Sequence, residues 1–342
     1  MSGLLEVING GIANSIQDLG RFGSRHMGVA VSGALDPILA RCANALVGNA
    51  PECACIEVRA LGPTMVVRHG RVRVALAGTL SATVRRASGS TQTLVAWASL
   101  TLFPGDVIEV GDVPFGTAYL ALTGGVDSPL QLGSRSTYLR AKIGGVDGGL
   151  LATGHLLPCV SEIHHAHREF LGRPWVIDDR PLKVILGPQL GHFKAGAVDR
   201  LLSEAFVVTP SMDRMGVRLE GPPLEHCSSE AADIVSDGVT PGAIQVPGNA
   251  QPIVLLADCQ TVGGYPKIAT VISADLYRLA QLQTGQRVRF AAVDLAGARQ
   301  AMREREAQWD DWVSCIAFGL NNSHALYNDL SSVWSDDFGD DV

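Results

Sequence analysis

The chain is poor in charge and in aromatic rings: 18% of its 342 residues are Asp, Glu, Lys or Arg, and 6% are Phe, Trp or Tyr. It has no Lys/Arg-rich run, and 34 acidic against 27 basic side chains leave a net charge of −7. That balance argues against nucleic-acid binding, because neutralising a phosphate backbone needs a basic patch or stripe. Long hydrophobic runs are missing too. The longest apolar stretch, Leu94 to Phe103, holds about ten residues and is broken by Ser and Thr, against roughly 20 for a membrane-spanning helix. The first residues, Met-Ser-Gly-Leu-Leu-Glu, have neither the basic start nor the apolar run of a secretory signal, so a cytoplasmic protein without membrane contact is expected. Cys42, Cys159, Cys259 and Cys315 stand isolated in apolar stretches, which suits reduced, buried thiols better than a disulfide framework, and Cys53 and Cys55 form the one close pair.

The common catalytic signatures are also absent. There is no Gly-x-x-x-x-Gly-Lys-Ser/Thr phosphate loop, no dinucleotide Gly-x-Gly-x-x-Gly, no Gly-x-Ser-x-Gly elbow and no His-Glu-x-x-His. His164, His165 and His167 lie in a polar connection without Cys or carboxylate at ligand spacing; they read as an exposed linker, and no metal is expected.

What is present is a turn-rich globular chain, 46% apolar, with 38 glycines and 17 prolines spread along its length. The length suggests two domains. Short alternating segments bounded by Gly, Pro and Asp predict strands at 71–76, 100–110 (two strands about a Pro-Gly-Asp turn), 117–122, 182–186, 206–219, 242–247, 252–258 and 268–272. A helix is marked after Asp36, which can cap it, with Pro37 in the first turn and Gly48-Asn49 as its stop. A second is expected from about Ala274, capped by Ser273, and a third, charged, over 295–309. Leu282-Gln-Thr-Gly285 leads into Val288 and Phe290 much as Leu102-Phe-Pro-Gly105 leads into Ile108 and Val110, a hint of two similar β units. The division expected is a mainly β domain over 1–180, a second over 181–295, and a helix with a mobile tail over 296–342, acidic at Asp336, Asp337, Asp340 and Asp341.

Polar residues gather in three Gly-rich regions. Gln17, Asp18 and Arg21 are followed by Asp36, Asn44, Asn49 and Glu57; Asp36 reads equally as a helix cap and Arg21 as an ion-pair partner. The turn Leu132-Gly-Ser-Arg135-Ser-Thr137 offers amides, hydroxyls and a guanidinium to an anion, or is a surface turn. The third region is richer. Arg214 and Arg218 are expected on one side of a strand, Gln245 on the next, and Asp258 and Gln260 on one side of another, followed by Thr261, Gly263, Gly264, Tyr265 and Lys267. Two adjacent glycines let backbone approach a ligand. The set predicts a polar pocket; a buried salt-bridge network is the alternative.

Six segments in order, Gln17-Asp18-Leu-Gly-Arg21, Gly33-Ala-Leu-Asp36, Ala43-Asn44-Ala-Leu-Val-Gly-Asn49, Leu132 to Thr137, Gly242 to Pro247 and Asp258 to Pro266, resemble the biotin-dependent carboxyltransferase, or urea-amidolyase-related, family over roughly residues 4–293. Gly149 stands where relatives usually carry Arg. The resemblance implies a mainly β fold of two cyclophilin-like barrels and three activities. In the first, the chain works as the C subunit of an ATP-dependent 5-oxoprolinase, ATP being shared with a Kip-inhibitor-like sister, the B subunit, and a lamB-like A subunit. Arg214, Arg218 or Lys267 would then face the phosphoryl group, and Asp258 with Gln260 the lactam N–H. In the second, it moves carboxyl from biotin on a separate carrier to urea or a similar amide, with Gly263-Gly264 amides and an Arg against the oxyanion. In the third, it is a regulatory binder of a kinase-inhibitor-like sister subunit.

Overall fold

A computed structural model describes residues 3–159 and 168–320; His164, His165, His167 and the acidic end lie outside them. The architecture is mainly β, with four α-helices among the described residues. In the first half, a six-stranded sheet runs in the order 156–159, 3–9, 64–69, 107–110, 81–85, 91–95. A five-stranded sheet, in the order 15–17, 55–61, 112–122, 72–77, 99–102, faces it. Leu5, Met65, Val84 and Ile108 from the first sheet and Ile56, Val74, Leu76 and Leu120 from the second close one core between them. Period-two alternation decides what covers the second sheet's other face. There Ala75, Ala77 and Ala121 alternate with the core residues, and their small side chains admit the helix Pro37–Val47.

In the second half, eight strands follow the order 287–288, 206–212, 216–220, 253–255, 243–245, 267–271, 182–186, 290–292. The first and last in that order are nearly continuous in the chain, so the sheet all but closes into a barrel around Val184, Phe206, Val217, Ile244, Val254, Ile268 and Phe290. The similarity of the two turns extends to their hydrogen bonds. Gly105 and Gly285 both have φ +87. Their amides donate to Val67 and Val208, each at 2.8 Å, and the residues after them, Asp106 and Gln286, receive the amide protons of the same two valines at 3.0 and 2.9 Å.

The helix Pro37–Val47 has the expected ends: Asp36 Oδ1 accepts from the Ile38 and Leu39 amides at 3.0 Å, and Gly48 turns left-handed with φ 80. The helix expected from Ala274 is a single turn, Leu276–Leu279, and Ser273 does not cap it. Its entry is spoken for otherwise, since Asp275 accepts from the Lys183 amide at 2.8 Å and from Arg278 at 3.3 Å. The charged helix runs Leu295–Ser314 behind an Asp294 cap. It returns to the first half: Trp312 stacks on Trp309 at 5.6 Å, meets Trp97 edge-on at 6.2 Å, and donates Nε1–H to the Arg173 carbonyl at 2.8 Å. Glu306 takes both Nη groups of Arg41 at 3.2 and 3.0 Å. No helix among the described residues is long and apolar enough to cross a membrane.

Trp312 is 2% exposed within that return contact. Trp312→Ala is expected to destabilise by about 3–5 kcal/mol, read as a lowered urea midpoint with an unchanged slope; a loss below about 1 kcal/mol would mean that the helix is held by its ion pairs instead.

Candidate functional site

The loop from Asp18 to Ala34 carries the first half onto the second. The Ser32 amide donates to the Ala257 carbonyl at 3.0 Å, Leu35 enters the barrel core, and Arg25 Nη2 donates to the carbonyls of Val239 and Gln260. At the centre lies Arg214. Its Nε and Nη2 hold both oxygens of Asp258 at 2.9 and 3.0 Å, Nη1 holds Glu57 Oε1 at 2.5 Å, and Nη2 also reaches the Gly33 carbonyl at 2.7 Å. Burial works against its charge, but Glu57 and Asp258 outweigh that and raise its pKa. The other oxygen of Glu57 accepts from the Leu35 amide at 2.9 Å and the Tyr119 hydroxyl at 2.8 Å. Arg214 and Asp258 thus form the buried ion network that was the alternative reading, spanning both halves.

Their partners in the sequence reading are elsewhere. Arg214 sits in the hairpin bend before the strand Gly216–Glu220, so it does not share a side with Arg218, which is exposed between buried Val217 and Leu219. The strand Ile253–Leu255 stops short of Asp258, which lies in a turn closed by the Cys259 amide on the Leu256 carbonyl. Asn44 is also structural: its Nδ2 donates to the Cys53 carbonyl at 2.8 Å and its Oδ1 accepts from Asn49, which fixes the connection after the helix. The 132–137 turn does hold an anion, and that anion is Asp18. Its carboxylate accepts from the Gly20 amide, both Ser134 and Ser136 hydroxyls and the Arg135 amide, at 2.5 to 2.8 Å. Arg135 itself pairs with Asp127 at 2.8 Å. Gln17 donates to Ser15 and to the Thr137 carbonyl. Arg21, fully buried, donates to the carbonyls of Gln131 and Ser136, and burial lowers its pKa against the pull of Asp18 and Asp258.

A second constellation forms on the outside of the barrel. Strand register aligns Arg218 with Ile253, Ile253 with Gln245, and Gln245 with Lys267, one row over four adjacent strands. Their neighbours Val217, Val254, Ile244 and Ile268 fill the barrel core, so the row faces outward. The loop after Asp258 folds over it. Gln260 Nε2 donates to Gln245 Oε1 at 3.4 Å, and Gln245 Nε2 to the Tyr265 carbonyl at 3.4 Å. A Cβ on Gly263 would stand 2.6 Å from Gln245 Nε2, so the glycine makes room for that amide. Gly264 and Thr261 serve through backbone, accepting from the Ile234 and Val239 amides at 2.8 and 3.1 Å. Lys267, 5% exposed, sends its ammonium to Asp237 at 2.7 Å and the Gly238 carbonyl at 3.2 Å, while Gln189 bonds both Asp237 and the Lys267 amide. The Tyr265 ring is 41% exposed at the rim. Together the row and the loop hold two carboxamides side by side, that of Gln245 2% exposed beneath the loop, an ammonium balanced by one exposed carboxylate, and a phenol at the rim: donors and acceptors of the kind that bond a small amide.

Residues 27–292 match the family "Carboxyltransferase domain, subdomain A and B". The chain belongs to the carboxyltransferase domain family. It is 33% identical to the C subunit of 5-oxoprolinase from Escherichia coli over 94% of this chain and 100% of that protein, and 33% identical to the C subunit from Haemophilus influenzae over 86% and 93%. The solved Kluyveromyces lactis urea amidolyase matches with TM-score 0.78 and 27% identity over 90% of this chain, which spans 20% of that structure.

In this family member the sequence reading missed Arg25, Asp237, Gln189 and Gln281, and no local pattern marks them. Gln281 matters because its Nε2 donates at 2.9 Å both to Asp36 Oδ2 and to the Thr117 carbonyl, a second tie across the halves. Burial pushes the Asp36 carboxyl up to about 7, against the Leu39 and Ile38 amides and Gln281, which favour ionisation.

Two outcomes follow. Arg214→Ala leaves Glu57 and Asp258 buried without their cation and is expected to cost about 3–5 kcal/mol, measured by chemical denaturation. For Asp36, the unfolded chain releases its proton near pH 4 while the folded chain keeps it to about 7, so stability falls as pH rises through that window and then levels. The drop from this group is of order 4 kcal/mol, and Asp36→Asn should flatten it; parallel melting curves at pH 5 and pH 8 for both proteins would contradict the assignment.

Proposed function

We propose that the chain is the C subunit of an ATP-dependent 5-oxoprolinase, which with partner subunits converts 5-oxo-L-proline to L-glutamate. The observation that carries this reading is the 33% identity along the whole length of the Escherichia coli 5-oxoprolinase C subunit. In this reading the substrate lies over the outer row. Gln245 and Gln260 bond the lactam N–H and carbonyl, Lys267 faces the oxygen that gains negative charge, and Tyr265 closes the rim. Arg218 stands exposed at the far end of the row, two strands or about 10 Å from Gln245, where it meets a more distant group. Asp258 and Arg214 act by position: they hold the turn from which Gln260 and Gly263 project.

ATP supplies the phosphoryl group that makes the lactam oxygen a leaving group. In this reading ATP is shared with the sister subunits of the assembled complex. A second reading is carboxyl transfer from biotin on a separate carrier, favoured by the TM-score of 0.78 to the solved Kluyveromyces lactis urea carboxylase, of which this chain spans 29%.

The test is ATP-dependent glutamate formation by the co-purified complex, with 5-oxoproline against urea. Gln245→Ala and Lys267→Met are expected to lower kcat/KM at least about a hundredfold, as for lost transition-state hydrogen bonds, read below each variant's melting temperature because both side chains are buried. Turnover with urea alone, together with retention on a biotinylated carrier, would decide for the second reading.

A further inference from the structure

A separate polar cleft opens where the segment 177–182, the turn Leu276–Leu279 with the residues after it, and the strands Arg287–Val288 and Phe290–Ala292 converge. Its charged lining is Arg180, Arg278, Arg287 and Arg289 with Asp178 and Asp179, and Gln281 lies among them. The chain as a whole carries a net charge of −7, so four guanidiniums against two carboxylates in one lining are a local reversal of sign.

Asp178 and Asp275 pair with Arg180 and Arg278, which leaves Arg287 and Arg289 without a carboxylate among the described residues. Asp178 is shared by Arg180 at 2.6 Å and Arg278 at 3.2 Å. Arg287 and Arg289 are exposed on either side of buried Val288, and among the described residues neither makes a side-chain hydrogen bond or ion pair. Arg278 is 8% exposed; its Nη groups reach Asp275, Asp178 and the Arg180 carbonyl, and its buried Nε has no partner. Two guanidiniums without a carboxylate on one wall favour an incoming anion. Guanidinium forks match the oxygens of a phosphate two at a time, and several forks on one wall suit an anion with several charges better than a single carboxylate.

We propose that this cleft binds a multiply charged phosphate anion, either free or as the phosphate chain of a nucleotide. The site is independent of the outer row and stands whichever reaction that row serves. Its inner wall is Gln281, whose amide holds Asp36 and the Thr117 carbonyl, so an occupant rests against the tie between the halves.

The experiment is titration calorimetry on the full chain at low salt with tripolyphosphate, inorganic phosphate and ATP. Tripolyphosphate is expected to bind below about 1 mM and to weaken steeply with added salt. The double variant Arg287→Glu/Arg289→Glu should weaken binding by roughly tenfold or more, while Arg85→Glu, an exposed arginine of the other half, should leave it unchanged. Both substituted sites are exposed, and an unaltered melting temperature checks the fold. Tripolyphosphate binding more tightly than ATP identifies the free anion as the ligand, and ATP binding more tightly identifies the nucleotide. Equal affinity of wild type and double variant, or no heat with tripolyphosphate at about 10 mM, overturns the proposal.

Discussion

The arrangement of the two halves is centred on a single guanidinium. Arg214 has four hydrogen bonds, to Asp258, Glu57 and the Gly33 carbonyl, and two of those acceptors come from the first half while the third comes from the second. A buried ion pair of this kind adds little net stability compared with an apolar filling, because desolvation offsets the Coulomb attraction. What it adds is selectivity of placement. A shift of either half by a few ångströms would leave buried charges unpaired, which is far more costly than a slipped apolar contact.

That constraint explains why the turn after Leu255 can serve two purposes. Its inner end, Asp258, is immobilised by the network, and two residues later Gln260 projects outward to Gln245. The carboxamides and the Lys267 ammonium therefore sit on strands at one side and on a braced turn at the other. Groups held this way lose little freedom when a ligand arrives, which is the condition for precise orientation.

The part of this legible from sequence was the part decided locally. Asp36, Pro37 and Gly48 mark a helix through capping and turn chemistry that need no knowledge of distant residues, and the Gly105 and Gly285 turns announce themselves in the same way. The ion network was half legible: its members were picked out, but Arg214 and Asp258 were set on strands by counting in twos through positions where the chain bends. The outer row was not legible as a row, because alignment of Arg218, Ile253, Gln245 and Lys267 depends on the register of four strands and a bulge beside Gln245. Arg25 was invisible, since its acceptors lie 214 and 235 residues further along.

The tryptophan contact has a consequence for biosynthesis. Trp97 is made early, and its partners Trp309 and Trp312 belong to the end of the second half. At about 5–20 residues per second, the nascent first half waits on the order of ten to forty seconds with that aromatic surface uncovered. The helix Leu295–Ser314 thus acts as a latch that closes only once the second half has been made.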